Sequence, residues 1–298
     1  TRAMYEQCGE PPVVSCIFRR CGGEMPLVGI IFRLTLDRIL RHRRTEFGGL
    51  TESAGGRIFE NSIGGTIRMA EVAPNGNYAL LLQVTNYASK LNVYNSSGKQ
   101  LFSNFTTGSK ISGISFNKNG SLCAVTTVDT QGGGLVSTVT IYNISSGEQV
   151  KTLTLTDLLC IRVYFQNDGG LCITCDESAI FYNSSFEEKA RVDYKNRSLL
   201  AYAWDDGDLA LLFQTDDPLS GRSVEVYRSG ELLYRIDSDR KAKGISLQKG
   251  RLSILDKEEL LVYQGENRMM EKAAAAGSAR TLLVGNSVFE IAQNQVAA

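Results

Sequence analysis

The sequence of 298 residues predicts an all-β protein built from repeated four-stranded antiparallel sheets. A glycine-containing turn recurs after a first strand, an apolar strand with Tyr near its end recurs two strands later, and the copies lie roughly 40 to 45 residues apart. One such sheet cannot bury both of its faces, so the copies must pack on one another, and a ring leaves no exposed end sheet. The predicted fold is therefore a β-propeller with four-stranded blades.

The copy at residues 110–155 is the best defined. Its first strand stops at an Asn-Lys-Asn-Gly turn, whose residue types accept the positive φ of hairpin turns. The third strand, near Ile141, is rich in β-branched and aromatic residues that suit a pleated, half-buried surface. A Ser-Ser-Gly-Glu turn then leads into the fourth strand.

Both signals occur five times along the chain. The turn copies are Pro74-Asn75-Gly76-Asn77, Asn117-Lys118-Asn119-Gly120, Asn167-Asp168-Gly169-Gly170, Asp205-Asp206-Gly207-Asp208 and Gln248-Lys249-Gly250-Arg251. The third-strand copies are centred on Val93, Ile141, Phe181, Val226 and Val262. Five full blades are therefore predicted.

The chain ends predict one further blade. Residues 56–61 match the fourth strand at 98–104, and residues 280–291 resemble second and third strands with no fourth strand after them. The strand near Ile58 is therefore expected to complete the C-terminal blade and to close the ring. The expected architecture is five full blades plus one composite or incomplete blade.

Residues 1–50 do not fit the repeat, so the sequence divides into a segment at 1–50, poorly ordered or unrelated to the repeats, and a propeller at 51–298. Residues 26–40 predict an amphipathic helix with Pro26 in its first turn, followed by a basic run at 38–44. Such a helix could lie on a membrane surface or serve as a loosely docked arm. Its uncharged stretch is too short to span a bilayer.

The composition argues against most catalytic and cofactor-dependent functions. Lys and Arg number 32 and equal Asp and Glu, so nucleic acid is not expected as a partner. The single histidine, His42, lies outside the repeats, which excludes Ser-His-Asp and Cys-His pairs within the propeller. No glycine-rich phosphate loop opens a helix. The sequence is therefore predicted to contain no catalytic residues and to bind no cofactor. The alternative is a carbohydrate-active hydrolase or lyase that uses paired carboxylates in the central channel.

Three cysteine or acidic patterns resemble metal sites, and none is predicted to be one. His42, Cys16 and Cys21 lack a fourth ligand and have arginines beside them. Cys172 and Cys175 lie three residues apart on a strand, so their side chains point to opposite faces. The acidic turn at 204–208 lacks the ligand spacing of a calcium loop.

Two lengthened connections between second and third strands, at 130–134 and 216–222, are expected to emerge on the same rim of the ring. Insertions on one rim commonly form the binding surface of repeat proteins, although simple loop variation explains them equally well. The candidate binding residues are Thr130, Gln131, Asp216, Asp217 and Arg222.

The third-strand patterns VYN-SSGK and IYN-ISSGE resemble those of WD40-like β-propellers, without their Trp-Asp dipeptide. More narrowly, residues 57–291 are similar to an uncharacterised family of clostridial and related Gram-positive propellers, notably at 135–142 and 280–284. That resemblance implies an N-terminal membrane anchor and no established activity, and residues 1–50 are not expected to contain the anchor. It also leaves open that one or two blades are missing and that the ring stays open.

From the residues and this resemblance we expect a noncatalytic, monomeric interaction scaffold. It would bind an unknown protein partner at the bacterial cell envelope, and it would reach the membrane only through the anchor.

Overall fold

The computed structural model describes residues 66–292, except 74, 86–87, 96, 108–109, 215–220 and 239–241, and outside that range the strands at 15–16, 28–33, 45–52, 57–64 and 296–297. Outside 66–292, and at 66–68, 78, 80–85, 105–107 and 238, only the backbone is described. The chain divides into two compact units. Unit 1 comprises Thr1–Gly133 and Thr138–Thr154, and unit 2 comprises Gly134–Ser137 and Leu155–Ala298.

All regular elements in the described part of the chain are β-strands. They are β1 (Ser15–Cys16), β2 (Val28–Arg33), β3 (Thr45–Glu52), β4 (Arg57–Gly64), β5 (Thr66–Val72), β6 (Tyr78–Thr85), β7 (Ala88–Tyr94), β8 (Gln100–Thr107), β9 (Lys110–Phe116), β10 (Leu122–Gln131), β11 (Gly134–Asn143), β12 (Gln149–Thr156), β13 (Cys160–Phe165), β14 (Leu171–Cys175), β15 (Ser178–Tyr182), β16 (Glu188–Asp193), β17 (Ser198–Asp205), β18 (Asp208–Gln214), β19 (Arg222–Arg228), β20 (Glu231–Ser238), β21 (Gly244–Gln248), β22 (Arg251–Leu255), β23 (Glu259–Gln264), β24 (Asn267–Ala273), β25 (Ser278–Val284), β26 (Ser287–Ala292) and β27 (Val296–Ala297).

The strands from β5 to β24 form five four-stranded sheets, each built from four consecutive strands paired in sequence order. The predicted all-β architecture with five complete repeats is therefore confirmed. Two further sheets flank them: β1 to β4 form a sheet at the N-terminal end, and β25 to β27 form a three-stranded sheet at the C-terminal end.

The predicted turns adopt the backbone conformation for which their sequence suits them. The glycine of every copy has a positive φ, between 67° and 98°. Those glycines are Gly76, Gly120, Gly169, Gly207 and Gly250. Glycine reaches this region without the steric cost that a Cβ imposes, so it fixes where each hairpin turns.

Hydrogen bonds join these turns between consecutive sheets. In unit 1 the Asn75 Nδ2 donates to the Asn119 carbonyl oxygen at 2.7 Å. In unit 2 the Asn167 Nδ2 donates to the Asp206 carbonyl oxygen at 3.0 Å and to its Oδ1 at 2.8 Å. The polar turn residues therefore contribute to sheet packing as well as to turn geometry.

The hydrophobic cores lie between consecutive sheets. In unit 1 one cluster joins Leu91 and Val93 of β7 to Ile114 of β9 and Val125 of β10. In unit 2 three clusters join each sheet to the next from β13 to β26. Strands β14 and β15 are buried along their whole length, whereas most residues of β16 and β24 are exposed. The second and third strands thus supply most of the packing.

The prediction of an amphipathic helix at 26–40 is wrong for the part of that segment that the structure describes. Val28–Arg33 is a strand, β2, paired antiparallel with β1 and β3. Its sequence VGIIFR contains three β-branched residues, and a short apolar run of this kind fits a strand as well as a helix until its partners are known. The remaining residues of the predicted helix lie outside the described part of the chain.

The expected pairing of the strand near Ile58 with the C-terminal blade is also wrong, whereas the alternative of one incomplete blade fits the three-stranded C-terminal sheet. Arg57–Gly64 pairs with Thr45–Glu52 and completes the N-terminal sheet. In the C-terminal sheet, Val296–Ala297 pairs with Ser287–Ala292 as the third strand. The first strands of successive sheets pack beside each other, as β21 does beside β17. The strand Ser278–Val284 packs beside β21 in the same way, so it is the first strand of its sheet and not the second strand expected from sequence. Both ends of the chain therefore find their partners locally, which requires no long-range pairing.

Candidate functional site

The candidate rim residues predicted from sequence lie in different surroundings. Thr130 and Gln131 are exposed at the end of β10, and the Thr130 amide donates to the Asp129 Oδ1 at 2.8 Å. Gly132 and Gly133 follow with positive φ, and a side chain at either would meet no neighbouring atom. This connection therefore projects into open space. Asp216 and Asp217 lie outside the described residues.

Arg222 holds two connections together. Its Nη2 donates to the Gln214 Oε1 at 3.1 Å, and its Nη1 donates to the carbonyl oxygen of Ala242, which precedes β21. Its guanidinium is therefore committed to the protein itself. The structure gives Arg222 a structural contact, and it does not place this side chain in the cleft described next.

Unit 2 contains a cleft of 730 Å³ at the ends of its first complete sheet. Three connections form it: the link from β12 to β13, the turn from β14 to β15, and the link from β16 to β17. In antiparallel sheets of this kind these connections emerge at the same end. The lining residues are Thr156, Asp157, Leu158, Asp176, Glu177, Ser178, Arg191, Asp193, Tyr194, Lys195, Asn196, Arg197 and Ser198. We call it the acidic cleft, for the charge balance described below.

Hydrogen bonds donated by backbone amides fix the three connections against one another. The Asp176 amide donates to the Leu159 carbonyl oxygen at 3.1 Å, and the Leu159 amide donates back to the Asp176 Oδ1 at 2.9 Å. The Tyr194 amide donates to the Glu177 carbonyl oxygen at 3.0 Å. The walls of the acidic cleft are therefore preorganised, which lowers the ordering cost of binding.

Three non-glycine residues of the acidic cleft have positive φ: Asp157 at 58°, Lys195 at 51° and Asn196 at 63°. Residues of this kind cost free energy in that conformation and persist because their surroundings impose it. They turn the two links sharply at the mouth of the cleft.

Arg197 is anchored beneath the surface. Its Nη1 lies 2.6 Å from the Glu225 Oε1, and its guanidinium carbon lies 4.1 Å from the centre of the Phe213 ring. Glu225 is only 4% exposed and also accepts a hydrogen bond from the Tyr227 hydroxyl at 2.6 Å. Burial acts to raise the pKa of Glu225, but the hydrogen bonds from Arg197 and Tyr227 outweigh it, so this pKa lies below its ordinary value.

The remaining charges of the acidic cleft are unbalanced. Arg191 pairs with Glu188, which lies outside the lining, at 2.8 Å. The exposed carboxylates of the lining form no ion pair with the described basic residues, and Lys195 is the uncommitted cation beside them within that part of the chain. Those carboxylates are Asp157, Asp176, Glu177 and Asp193. Because both arginines are already neutralised, the cleft carries surplus negative charge.

Two buried hydroxyl groups also belong to the lining. Ser178 is 2% exposed and Tyr194 is 1% exposed. Neither the Ser178 Oγ nor the Tyr194 Oη has a hydrogen-bond partner among the described residues. Burial raises the pKa of Tyr194, so its hydroxyl stays neutral and remains a donor as well as an acceptor. An unpaired buried hydroxyl costs free energy, which a ligand or water could recover.

The sequence analysis did not predict the acidic cleft, because the residues of the cleft lie in short connections and the predicted binding residues lie in long ones. The signal was present in Asp176-Glu177 and in the Tyr-Lys-Asn-Arg run at 194–197, which occupy two connections that emerge at the same end of one sheet. Charged residues at such paired connections would have indicated the site.

The cysteine prediction agrees with the structure. Cys172 and Cys175 are buried free thiols, as is Cys123 in the corresponding strand of the preceding sheet. Burial raises the pKa of all three thiols, which makes them poor nucleophiles. The sheet places Cys175 directly opposite Cys160, not beside Cys172.

The predictions that the remaining cysteine, histidine and acidic patterns are not metal sites can be compared with the structure only in part. Cys16 lies in β1, where only the backbone is described, and Cys21 and His42 lie outside the described residues. Within the described residues, no group of three or more His, Cys, Asp or Glu side chains is arranged to hold a metal ion. In the acidic turn, Asp208 pairs with Arg228 at 2.6 Å, and Asp205 accepts a hydrogen bond from the Lys249 amide at 2.5 Å. In that same part of the chain, no helix has the length and apolarity needed to cross a bilayer.

Solved structures with this arrangement of sheets are β-propellers, and the fold defines the present chain as one. An uncharacterised protein, lmo1340 from Listeria monocytogenes EGD-e, matches with a TM-score of 0.60 and 10% identity, covering 89% of this chain and 85% of that one. The β-propeller domain of the Trilobed protease from Pyrococcus furiosus matches with a TM-score of 0.59 and 11% identity, covering 89% and 85%. The Pan2 WD40 domain of Neurospora crassa matches with a TM-score of 0.56 and 11% identity, covering 89% and 82%.

Residues 51–288 match the profile of a family of unknown function, DUF5711, and the chain belongs to this family. No curated protein matches the chain. At these identities the structural matches show the fold alone.

Proposed function

We propose that this protein is a noncatalytic β-propeller scaffold that binds a partner protein through the connections at the ends of its sheets. The acidic cleft carries this proposal, because it combines fixed walls, uncommitted charge and unpaired hydroxyl groups in 730 Å³. A few polar groups placed in a preformed concave site are typical of binding sites. Thr130 and Gln131 offer a second exposed connection in unit 1, with Asp216 and Asp217 as its counterparts by sequence.

The partner is a protein in this proposal, and nucleic acid is disfavoured by the balance of 32 basic against 32 acidic residues. The proposed setting is the cell envelope of a Gram-positive bacterium, reached through an N-terminal anchor, with the propeller monomeric. That setting rests on the family resemblance described above.

A saccharide hydrolase or lyase is the alternative, and it requires two carboxylates that converge on the substrate. Across β5, β9, β13, β17, β21 and β25 the sequence offers two carboxylates, Glu71 and Asp205. Asp205 is engaged by the Lys249 amide. Of the basic residues on these strands, Arg162 lies 5.8 Å from the Tyr164 ring centre. These observations favour binding over catalysis.

Site-specific photo-crosslinking in the producing bacterium tests the scaffold proposal. A photoreactive amino acid at Asn196, in the acidic cleft, or at Thr130 is expected to give discrete adducts, and one at exposed Glu266 serves as the control. The adduct partner, once purified, should form a saturable complex with the intact protein. Absence of any complex, or release of reducing sugar from cell-wall glycans by the purified protein, would contradict the proposal.

A further inference from the structure

Beyond general scaffolding, the charge of the acidic cleft indicates what kind of segment it would hold. Four exposed carboxylates and one uncommitted lysine face the same cleft, while Arg191 and Arg197 are neutralised by Glu188 and Glu225. A surplus of negative charge in a concave site attracts cations and repels anions. A glycan without charge gains no long-range attraction from this surplus.

The two unpaired hydroxyl groups are an independent observation at the same place. Ser178 and Tyr194 line the acidic cleft, are more than nine-tenths buried, and have no partner among the described residues. Each can accept a hydrogen bond from an ammonium or guanidinium group, or from a peptide N–H. Leu158 adds a half-buried apolar surface, which suits the methylene stem of a long basic side chain.

The geometry disfavours a metal ion, and small cations in general, as the occupant. Within the described residues, no set of three carboxylate, thiol or imidazole groups converges closely enough to bind a metal ion. The lining is spread over three connections in 730 Å³, which suits several side chains of an extended segment better than one small ion.

We propose that the acidic cleft binds a lysine- or arginine-bearing segment of the partner polypeptide, an inference that rests on the scaffold function. The carboxylates of Asp157, Glu177 and Asp193 would pair with the basic side chains, and the Ser178 and Tyr194 hydroxyls would accept hydrogen bonds from them.

A labelled peptide of alternating lysine and serine residues provides the direct test, with a glutamate-serine counterpart as the control ligand. Fluorescence anisotropy with the full chain should show saturable binding of the lysine peptide, weakened by added salt, and no binding of the glutamate peptide. Neutralising three cleft residues together, as Asp157→Asn, Glu177→Gln and Asp193→Asn, should weaken binding about tenfold or more.

A matched variant removes the same charge elsewhere. Glu231→Gln, Glu258→Gln and Glu266→Gln change three exposed carboxylates outside the cleft, and binding should stay close to wild type. Equal weakening in both triple variants, or no binding of the lysine peptide, would overturn the inference. Tyr194→Phe deletes one unpaired hydroxyl and retains the ring, so it should weaken binding a few fold without lowering the melting temperature. Unchanged affinity in that variant would contradict a role for this hydroxyl.

The failures of the two proposals are distinguishable. If the crosslinked partner binds the cleft triple variant as tightly as wild type but is lost on substitution of Thr130 and Gln131, the scaffold function stands and the cleft inference fails. If no partner complex forms with wild type, the scaffold function itself fails.

Discussion

At the scale of single residues, three buried carboxylates of the described chain, Asp208, Glu225 and Glu290, are each paired with a basic side chain. Glu225 is the clearest buried example, because Arg197, Tyr227 and, at 3.4 Å, Arg235 all approach its carboxylate. Burying such a charge is tolerable only while its partners remain. Loss of one partner should therefore be costly.

Replacing Glu225 with Gln should lower the free energy of unfolding by roughly 3 kcal/mol at pH 7, because Arg197 loses its buried counter-charge. Because folding lowers the pKa of Glu225, this carboxylate contributes stability above its unfolded pKa, and the contribution is lost as pH falls through the folded pKa. The difference in unfolding free energy between wild type and variant should accordingly be largest above about pH 5 and should decrease below about pH 4. Denaturant titrations across this pH range provide the measurement.

The control for that prediction is Glu188→Gln. Glu188 also pairs with an arginine, Arg191, but both side chains are exposed, so the loss should be at most about 1 kcal/mol. Equal losses in the two variants would show that the burial of Glu225 does not set its contribution.

The thiols offer a second prediction at this scale. Cys123, Cys172 and Cys175 are buried and the pKa of each is raised, so alkylation at pH 8 should leave them unmodified in the folded protein. All three should react once denaturant is added. Mass mapping of the alkylated sites separates them from the N-terminal cysteines, and rapid labelling of Cys172 in the native state would be inconsistent with the buried strand.

At the scale of elements, the turn after each first strand was predictable because its chemistry is local. Gly120 has a φ of 67°, and a side chain there would collide with Asn75 of the preceding sheet. That turn therefore carries two requirements, a positive φ and a close approach between sheets. Only the first can be read from its own sequence.

Gly120→Ala should destabilise the protein by about 2 to 3 kcal/mol, since it combines backbone strain with displacement of the Asn75 side chain. Gly132→Ala also has a positive φ, at 60°, but meets open space, so it should cost about 1 kcal/mol. Thermal unfolding of both variants gives the comparison. A Gly120→Ala cost no larger than that of Gly132→Ala would rule out the predicted contact with Asn75.

The N-terminal segment shows where element prediction failed. Val28–Arg33 is short and apolar, and such a run has no decisive period. Its strand conformation depends on pairing with Ser15–Cys16 and Thr45–Glu52, which neither composition nor spacing reveals. The same limit applied to the C-terminal sheet, where first and second strands were mistaken for second and third.

At the scale of the whole molecule, the repeat could be recognised in the sequence because the same pattern occurs in five copies. The acidic cleft was harder to find, since it draws Asp157, Glu177 and Tyr194 from three short connections, two of which link one sheet to the next. A site assembled across repeats depends on how the sheets pack, and packing leaves no local motif. The fold could thus be predicted to the level of complete repeats, whereas the charged connections indicated candidate residues but not how the sheets bring them together.

The central structural claim is that second and third strands form the packed interior while fourth strands face solvent. Hydrogen–deuterium exchange on the full chain tests it most directly, because protection follows burial and stable pairing. We predict slow exchange in β14, β15, β18 and β22, and faster exchange in β16 and β24, which lie at the edges of their sheets. Uniform protection across all four strands of these sheets, or faster exchange in β14 and β15 than in β16, would contradict the account.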